Sequence, residues 1–177
     1  NFPEGLSLSL MDPINLPVYR ALAWVHPALG FNAVFVFNLL LAFAGAFSLA
    51  RALGVRPPAA FSAVVACAFS PFLSGLGSFG ITEAWPIGWL GLHCAFLIRF
   101  SESGQKKQLL WSSLSLAAFL LSGWYHAVFA VIAETMLLLY LARRGTGLTP
   151  LVLQAGLAGL LVLPRFLSFF FFFFFFF

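Results

Sequence analysis

The sequence predicts an all-α, multi-pass transmembrane helix bundle of about six spans with one external interfacial helix. Three observations predict it. First, the chain is 62% hydrophobic and 8% charged with a mean hydropathy of +1.03, which leaves too little polar surface to cover a water-soluble globule. Second, apolar runs of helical length follow one another with no alternating strand pattern between them. Third, basic residues concentrate in alternate gaps: Arg51 and Arg56 in one, Arg99, Lys106 and Lys107 in the next, Arg143 and Arg144 in the last. Short loops rich in Lys and Arg stay on the cytoplasmic side of a bilayer.

The elements read in order as follows. Residues 16–29 suit a helix lying in the external interface, with Val18, Leu22 and Val25 on one face and Arg20 and His26 nearby. The first span is 31–50, closed by Arg51 and the turn Gly54-Val55-Arg56-Pro57-Pro58. The second is 59–72, broken by Pro71, and a glycine-rich segment, 75–83, follows. The third span, 85–100, runs into the polar loop 101–108, and the fourth, fifth and sixth are 109–121, 126–142 and 150–163. Several are shorter than the ~20 residues that cross a hydrocarbon core untilted. The N-terminal segment, 70–84, 122–125 and the C-terminal tail are then external, and they hold Glu4, Asp12 and Glu83. Trp24, Trp85, Trp89 and Trp124 fall toward external span ends, and Trp111 and Tyr140 toward the opposite interface, as an aromatic belt requires.

Residue 1 is Asn, and 169–177 is all phenylalanine after Pro164-Arg165. Both ends read as edges of a fragment, with one transmembrane domain over 1–168 and a low-complexity, artefactual tail over 169–177. Cys67 and Cys94 sit in apolar runs, where cysteine behaves as a small hydrophobe, and no disulfide framework or zinc spacing is present. The net charge of +4 is spread singly and in pairs at span ends, a topological signal that argues against a nucleic-acid partner. No internal repeat or inverted pair of broken helices is visible, which weighs against a secondary transporter.

Few residues offer chemistry. Glu134 is a carboxylate in the middle of a span, where insertion costs roughly 2.5–3.5 kcal/mol, so it needs protein or water to face. It is either a protonated acid bonded to a neighbouring helix, through His93 or Gln154, or a proton or substrate contact. His93, in Gly91-Leu92-His93-Cys94, has no second histidine at helical spacing for a metal pair and reads as a bundle residue. Tyr125 and His126, with Gly123 and Trp124, form a polar break at the external face. That break is a contact for a sugar or lipid phosphate, or the turn and belt of a helical hairpin. Glu83 precedes Ala84-Trp85-Pro86; it is a helix N-terminal carboxylate worth ~0.3–1 kcal/mol, or a general base or ligand for a divalent metal ion at the membrane surface. Asp12, before Pro13, is a turn initiator or a second acid of the same kind.

The order Phe2-Pro3-Glu4-Gly5-Leu6, a helix, Phe31-Asn32-Ala33 through Asn38-Leu39-Leu40 to Ala44-Gly45-Ala46-Phe47-Ser48-Leu49-Ala50-Arg51, then Ala68-Phe69-Ser70-Pro71-Phe72 and Glu83-Ala84-Trp85-Pro86-Ile87 resembles bacterial membrane glycosyltransferases of the GT-C superfamily. The resemblance covers 1–142 and lies in the pattern, with no single diagnostic motif. It implies a multi-pass protein of the bacterial cytoplasmic membrane that transfers a sugar from a polyprenyl-phosphate donor at the external face by an inverting mechanism. In that superfamily an acid in the first external loop acts as base or metal ligand; Asp12 lies late in that loop, and Glu83 lies in the second. Arg20 and Arg165 are then the external basic side chains, which leaves the departing phosphate to Arg20, to a divalent metal ion or to parts of the protein outside this sequence. Two other readings compete: a transporter or flippase, and a non-catalytic membrane subunit.

Overall fold

Proline sets where the first helices begin. The computed structural model describes residues 13–68, 86–123, 126–145 and 149–176. Helix α1, Leu16–Ala23, carries Pro17 in its first turn, and α2, Pro27–Ala52, begins on Pro27. A residue before proline is pushed out of the helical region, and His26 is accordingly extended, with φ −161° and ψ 133°. Its Nδ1 caps α2 by accepting from the Ala28 N–H at 3.2 Å. The continuous helix expected over 16–29 is therefore two helices, because Pro27 can start a helix but cannot continue one.

Helix α1 turns back along α2. A Cβ on Gly30 would lie within 3 Å of both the Tyr19 carbonyl and Ala23, so glycine permits the close approach. Deeper along the pair, Asn38 Nδ2 donates to Asn15 Oδ1 at 2.8 Å and to the Val34 carbonyl at 2.9 Å, with both amide side chains buried. Asn38 is about three turns into α2. α1 thus runs beside the first half of α2, not flat across its end as an interfacial helix would.

The remaining elements are α3 (Pro57–Ala68), α4 (Ile87–Ser103), α5 (Lys106–Ser122), α6 (His126–Arg143) and α7 (Thr149–Phe176), with no strand among the described residues. Gly54, Gly104 and Gly145 end α2, α4 and α6 at φ 84°, 66° and 70°, the left-handed geometry that glycine adopts without steric cost. The expected sixth span, ending at 163, is corrected: α7 runs helically through Pro164. Inside a bundle, neighbouring groups offset the hydrogen bond such a proline removes.

Helix α4 is central and packs against α2, α5, α6 and α7. Its contact with α2 is made backbone to backbone. A Cβ on Gly45 would overlap the Gly88 carbonyl, one on Gly88 would overlap Leu41, and one on Gly91 would press on Gly45, the small-residue packing used where helices lack a hydrophobic drive to associate. Two apolar clusters fill the interior. One joins Cys94, Leu97, Ile98 and Leu137, with Leu109 and Leu151 against them. The other joins Leu116, Phe119, Ala130 and Ala158, with Trp89 and Leu90.

The outside of the bundle is as apolar as its inside. Leu40, Val131, Met136, Val152 and Leu160 are between 63% and 68% exposed. Two helices, Pro27–Ala52 and His126–Arg143, are long and apolar enough to cross a membrane; at 1.5 Å per residue they span about 39 and 27 Å. α3 is shorter, at 12 residues.

Candidate functional site

Between the two apolar clusters lies a polar layer built by one turn from each of four helices. On α4 it is His93, between Trp89 and Leu97; on α5, Ser112 and Ser113, between Leu109 and Leu116. On α6 it is Glu134, between Ala130 and Leu137; on α7, Gln154, between Leu151 and Ala158. His93, both serines and Gln154 are completely buried.

The layer is connected through His93. Its Nδ1 lies 2.9 Å from Ser112 Oγ and 3.2 Å from the Ser112 carbonyl oxygen, and Ser112 Oγ also donates to the His93 carbonyl at 3.2 Å. On the other side of the ring, Nε2 lies 3.2 Å from Glu134 Oε1. That approach is close enough for charge attraction but off the line of a directional hydrogen bond, so Nε2 and both carboxylate oxygens are buried without one. Ser113 Oγ donates to the Leu109 carbonyl at 3.0 Å and lies 3.4 Å from the Gln154 carbonyl. The Gln154 side-chain amide is buried and makes no hydrogen bond in the described structure. Of the two partners expected for Glu134, the structure therefore brings His93 to it.

Serine, histidine and carboxylate in sequence resemble a nucleophilic triad, and two features argue against that chemistry. Ser112 is sealed from any substrate, and mid-helix backbone N–H groups are committed to the helix, leaving none to form an oxyanion hole. The arrangement is suited to holding a proton rather than attacking a carbonyl.

An apolar groove runs beside this layer. α2 and α6 stand apart on α4, leaving a cavity of about 410 Å³ lined by Ala42 and Ala46 of α2, Gly91 and Cys94 of α4, and Ala133 and Tyr140 of α6, among others. It is partly open to the outside, and Leu49, Leu90, Ile98 and Met136 line it beside the small residues.

The other expected residues are placed as follows. Asp12, Glu83 and Tyr125 lie outside the described residues. Arg20 is exposed in the last turn of α1. His126 begins α6 with its ring turned inward: Nδ1 lies 3.0 Å from the Phe119 carbonyl and the ring stacks on Phe119 at 4.5 Å. Among the described residues no cluster of His, Cys, Asp or Glu is arranged to hold a metal ion. Sequence reasoning passed over Ser112, Ser113 and the Asn15–Asn38 bridge. The available signal was their setting, since Ser112, Ser113 and Asn38 are polar residues within largely apolar helices and Asn15 stands at the start of α1.

Two arginines tie helix ends together. Arg99 Nη2 reaches the Ser48 carbonyl at 3.4 Å, joining the ends of α4 and α2. Arg144 pairs with Glu102 at 2.6 Å, joining the ends of α6 and α4. Among the described residues, fold and site together define a helical bundle with two helices long and apolar enough to cross a membrane, a buried polar layer and an apolar groove. Comparison with protein-family models, curated proteins and solved structures found no match to this chain.

Proposed function

We propose that the chain belongs to a multi-pass integral membrane protein of about six spans, in the bacterial cytoplasmic membrane. It acts as a glycosyltransferase on a polyprenyl-phosphate sugar donor at the external face. The observation that carries this reading is the groove between α2, α4 and α6, which is almost wholly apolar and has a volume of about 410 Å³, room for a stretch of hydrocarbon chain. A lipid-linked donor keeps its tail in the bilayer, and such a groove would hold that tail while the phosphate and sugar stay at the surface. The apolar exterior supplies the matching environment, and the basic residues at the ends of α2, α4, α5 and α6 supply the orientation.

In this reading Asp12 or Glu83 deprotonates the acceptor hydroxyl, and Arg20 or a divalent ion stabilises the departing phosphate. Two measurements test it. A polyprenyl-phosphate sugar carrying a photoreactive isoprene should label peptides from α2, α4 and α6, and labelling confined to other peptides would remove the groove from the proposal. In the intact protein Glu83→Gln should lower transfer by about 10²–10⁴-fold if Glu83 is the base; normal transfer at normal expression would leave it a helix cap.

The polar layer favours a second reading, a lipid flippase, since intramembrane acid and histidine pairs mark proton-driven movement. Donor translocation without transfer in reconstituted vesicles would select it.

A further inference from the structure

We infer that His93 and Glu134 form a proton-binding site in the interior of the bundle, and that its occupancy controls how α6 closes the lateral groove. The argument begins with what surrounds His93 Nδ1. When the ring is neutral, the Ser112 hydroxyl at 2.9 Å donates to Nδ1. When the ring takes up a proton from water, Nδ1–H has an acceptor ready in the Ser112 carbonyl at 3.2 Å. The Ser112 hydroxyl then turns its own hydrogen to the His93 carbonyl, also 3.2 Å away. One rotation of one hydroxyl satisfies the ring in both states, with no backbone movement. A histidine that served only as packing would need one set of partners.

The charge has a counterpart on a different helix. Glu134 Oε1 faces Nε2 at 3.2 Å, so the protonated ring and the carboxylate form an ion pair between α4 and α6, and loss of the proton removes that attraction. Both carboxylate oxygens are buried without a hydrogen bond, which makes the acid dependent on the ring. Glu134 is the titratable group that meets His93. Cys94 on α4 and Tyr140 on α6 are the others nearby, whereas α2 and α5 carry their charged residues near helix ends and α7 carries Arg165 about three turns beyond Gln154.

The link to the groove is covalent neighbourhood. Ala133, Met136, Leu137 and Tyr140 of α6 line one wall, on either side of Glu134, and Cys94 lines the floor next to His93. α6 packs on α4 less extensively than α2 does and exposes Val128, Val131 and Met136 on its far side. A change in its attraction to α4 therefore shifts the wall.

Two measurements on the protein in lipid nanodiscs test this. Nitrogen NMR of ring-labelled histidine should show the His93 Nδ1 signal, assigned by its loss in His93→Gln, moving upfield as the pH is lowered from about 9 to about 4. In a Cys67→Ala background, labelling of Cys94 by a membrane-permeant alkylating reagent should show a several-fold step over the same pH interval. That step should be absent in Glu134→Gln and His93→Gln, and His93→Gln is the deciding variant because it leaves in place Glu134, whose charge bears on the Cys94 thiol. A His93 signal that holds one protonation state throughout overturns the proton site; where His93→Gln fails to fold, the signal is assigned as the one that remains when His26 and His126 are both replaced by Gln. A titrating His93 with identical labelling curves in all three proteins overturns the coupling to the groove.

Discussion

Asn38 shows how a single side chain ties one helix to another. Its amide bonds Asn15 at 2.8 Å and the Val34 carbonyl at 2.9 Å, in a buried position along α2. Interhelical hydrogen bonds within apolar bundles contribute about 0.6–2 kcal/mol. Asn38→Leu should lower stability by that amount, read as an earlier unfolding midpoint in mixed detergent micelles. Adding Asn15→Leu should recover much of the loss, because replacing both partners avoids burying one alone. An unchanged midpoint in Asn38→Leu would mean that α1 is held by its apolar contacts with α2. The Arg144–Glu102 pair offers the opposite case: about half of each side chain is exposed, and such pairs contribute at most about 1 kcal/mol.

Two kinds of glycine separate packing from propensity at the level of helices. Gly45, Gly88 and Gly91 bring α2 and α4 into backbone contact, and a Cβ on Gly45 would overlap the Gly88 carbonyl. Gly45→Ala should force the helices apart and cost about 1–3 kcal/mol, the usual penalty for overpacking. Gly156 and Gly159 on α7 have nothing within 4 Å of an added Cβ. Gly156→Ala should be neutral or stabilise by up to about 1 kcal/mol through helix propensity alone. Unfolding midpoints that move equally for the two variants would deny the close α2–α4 contact.

Across the whole molecule the basic residues define an axis. Arg51, Arg99, Lys106, Lys107 and Arg144 belong to helix ends that meet, and in the proposed multi-pass reading the positive-inside tendency would assign that end to the cytoplasm. Cysteines placed at Gly54, Gly104 and Gly145 should be protected from an impermeant reagent added outside intact cells, and those at Gly77 and Gly123 should react. The reverse pattern would invert the protein and move the proposed catalytic loops to the wrong face.

The sequence by itself determined the helical class, the alternation of charged and uncharged gaps, and the singularity of Glu134, because composition and periodicity carry those signals directly. Gly104 and the basic pair Lys106 and Lys107 mark the α4–α5 turn without any structure. His93 and Glu134 were each legible as intramembrane polar groups, but their approach within 3.2 Å depends on the rotation of α4 against α6, which no local pattern encodes. Ser112 was hidden because serine is common in helices and acquires meaning only when it faces a histidine on the next one. Pro27 marks the break that the reading of 16–29 as one helix ran through, and the fold-back of α1 needed Gly30 and the Asn15–Asn38 bond to bring distant residues together. The groove was decided by the tertiary structure alone. It exists because glycine draws α2 tightly onto α4 while α6 stands off, and the space between two helices is a property of their separation rather than of either sequence.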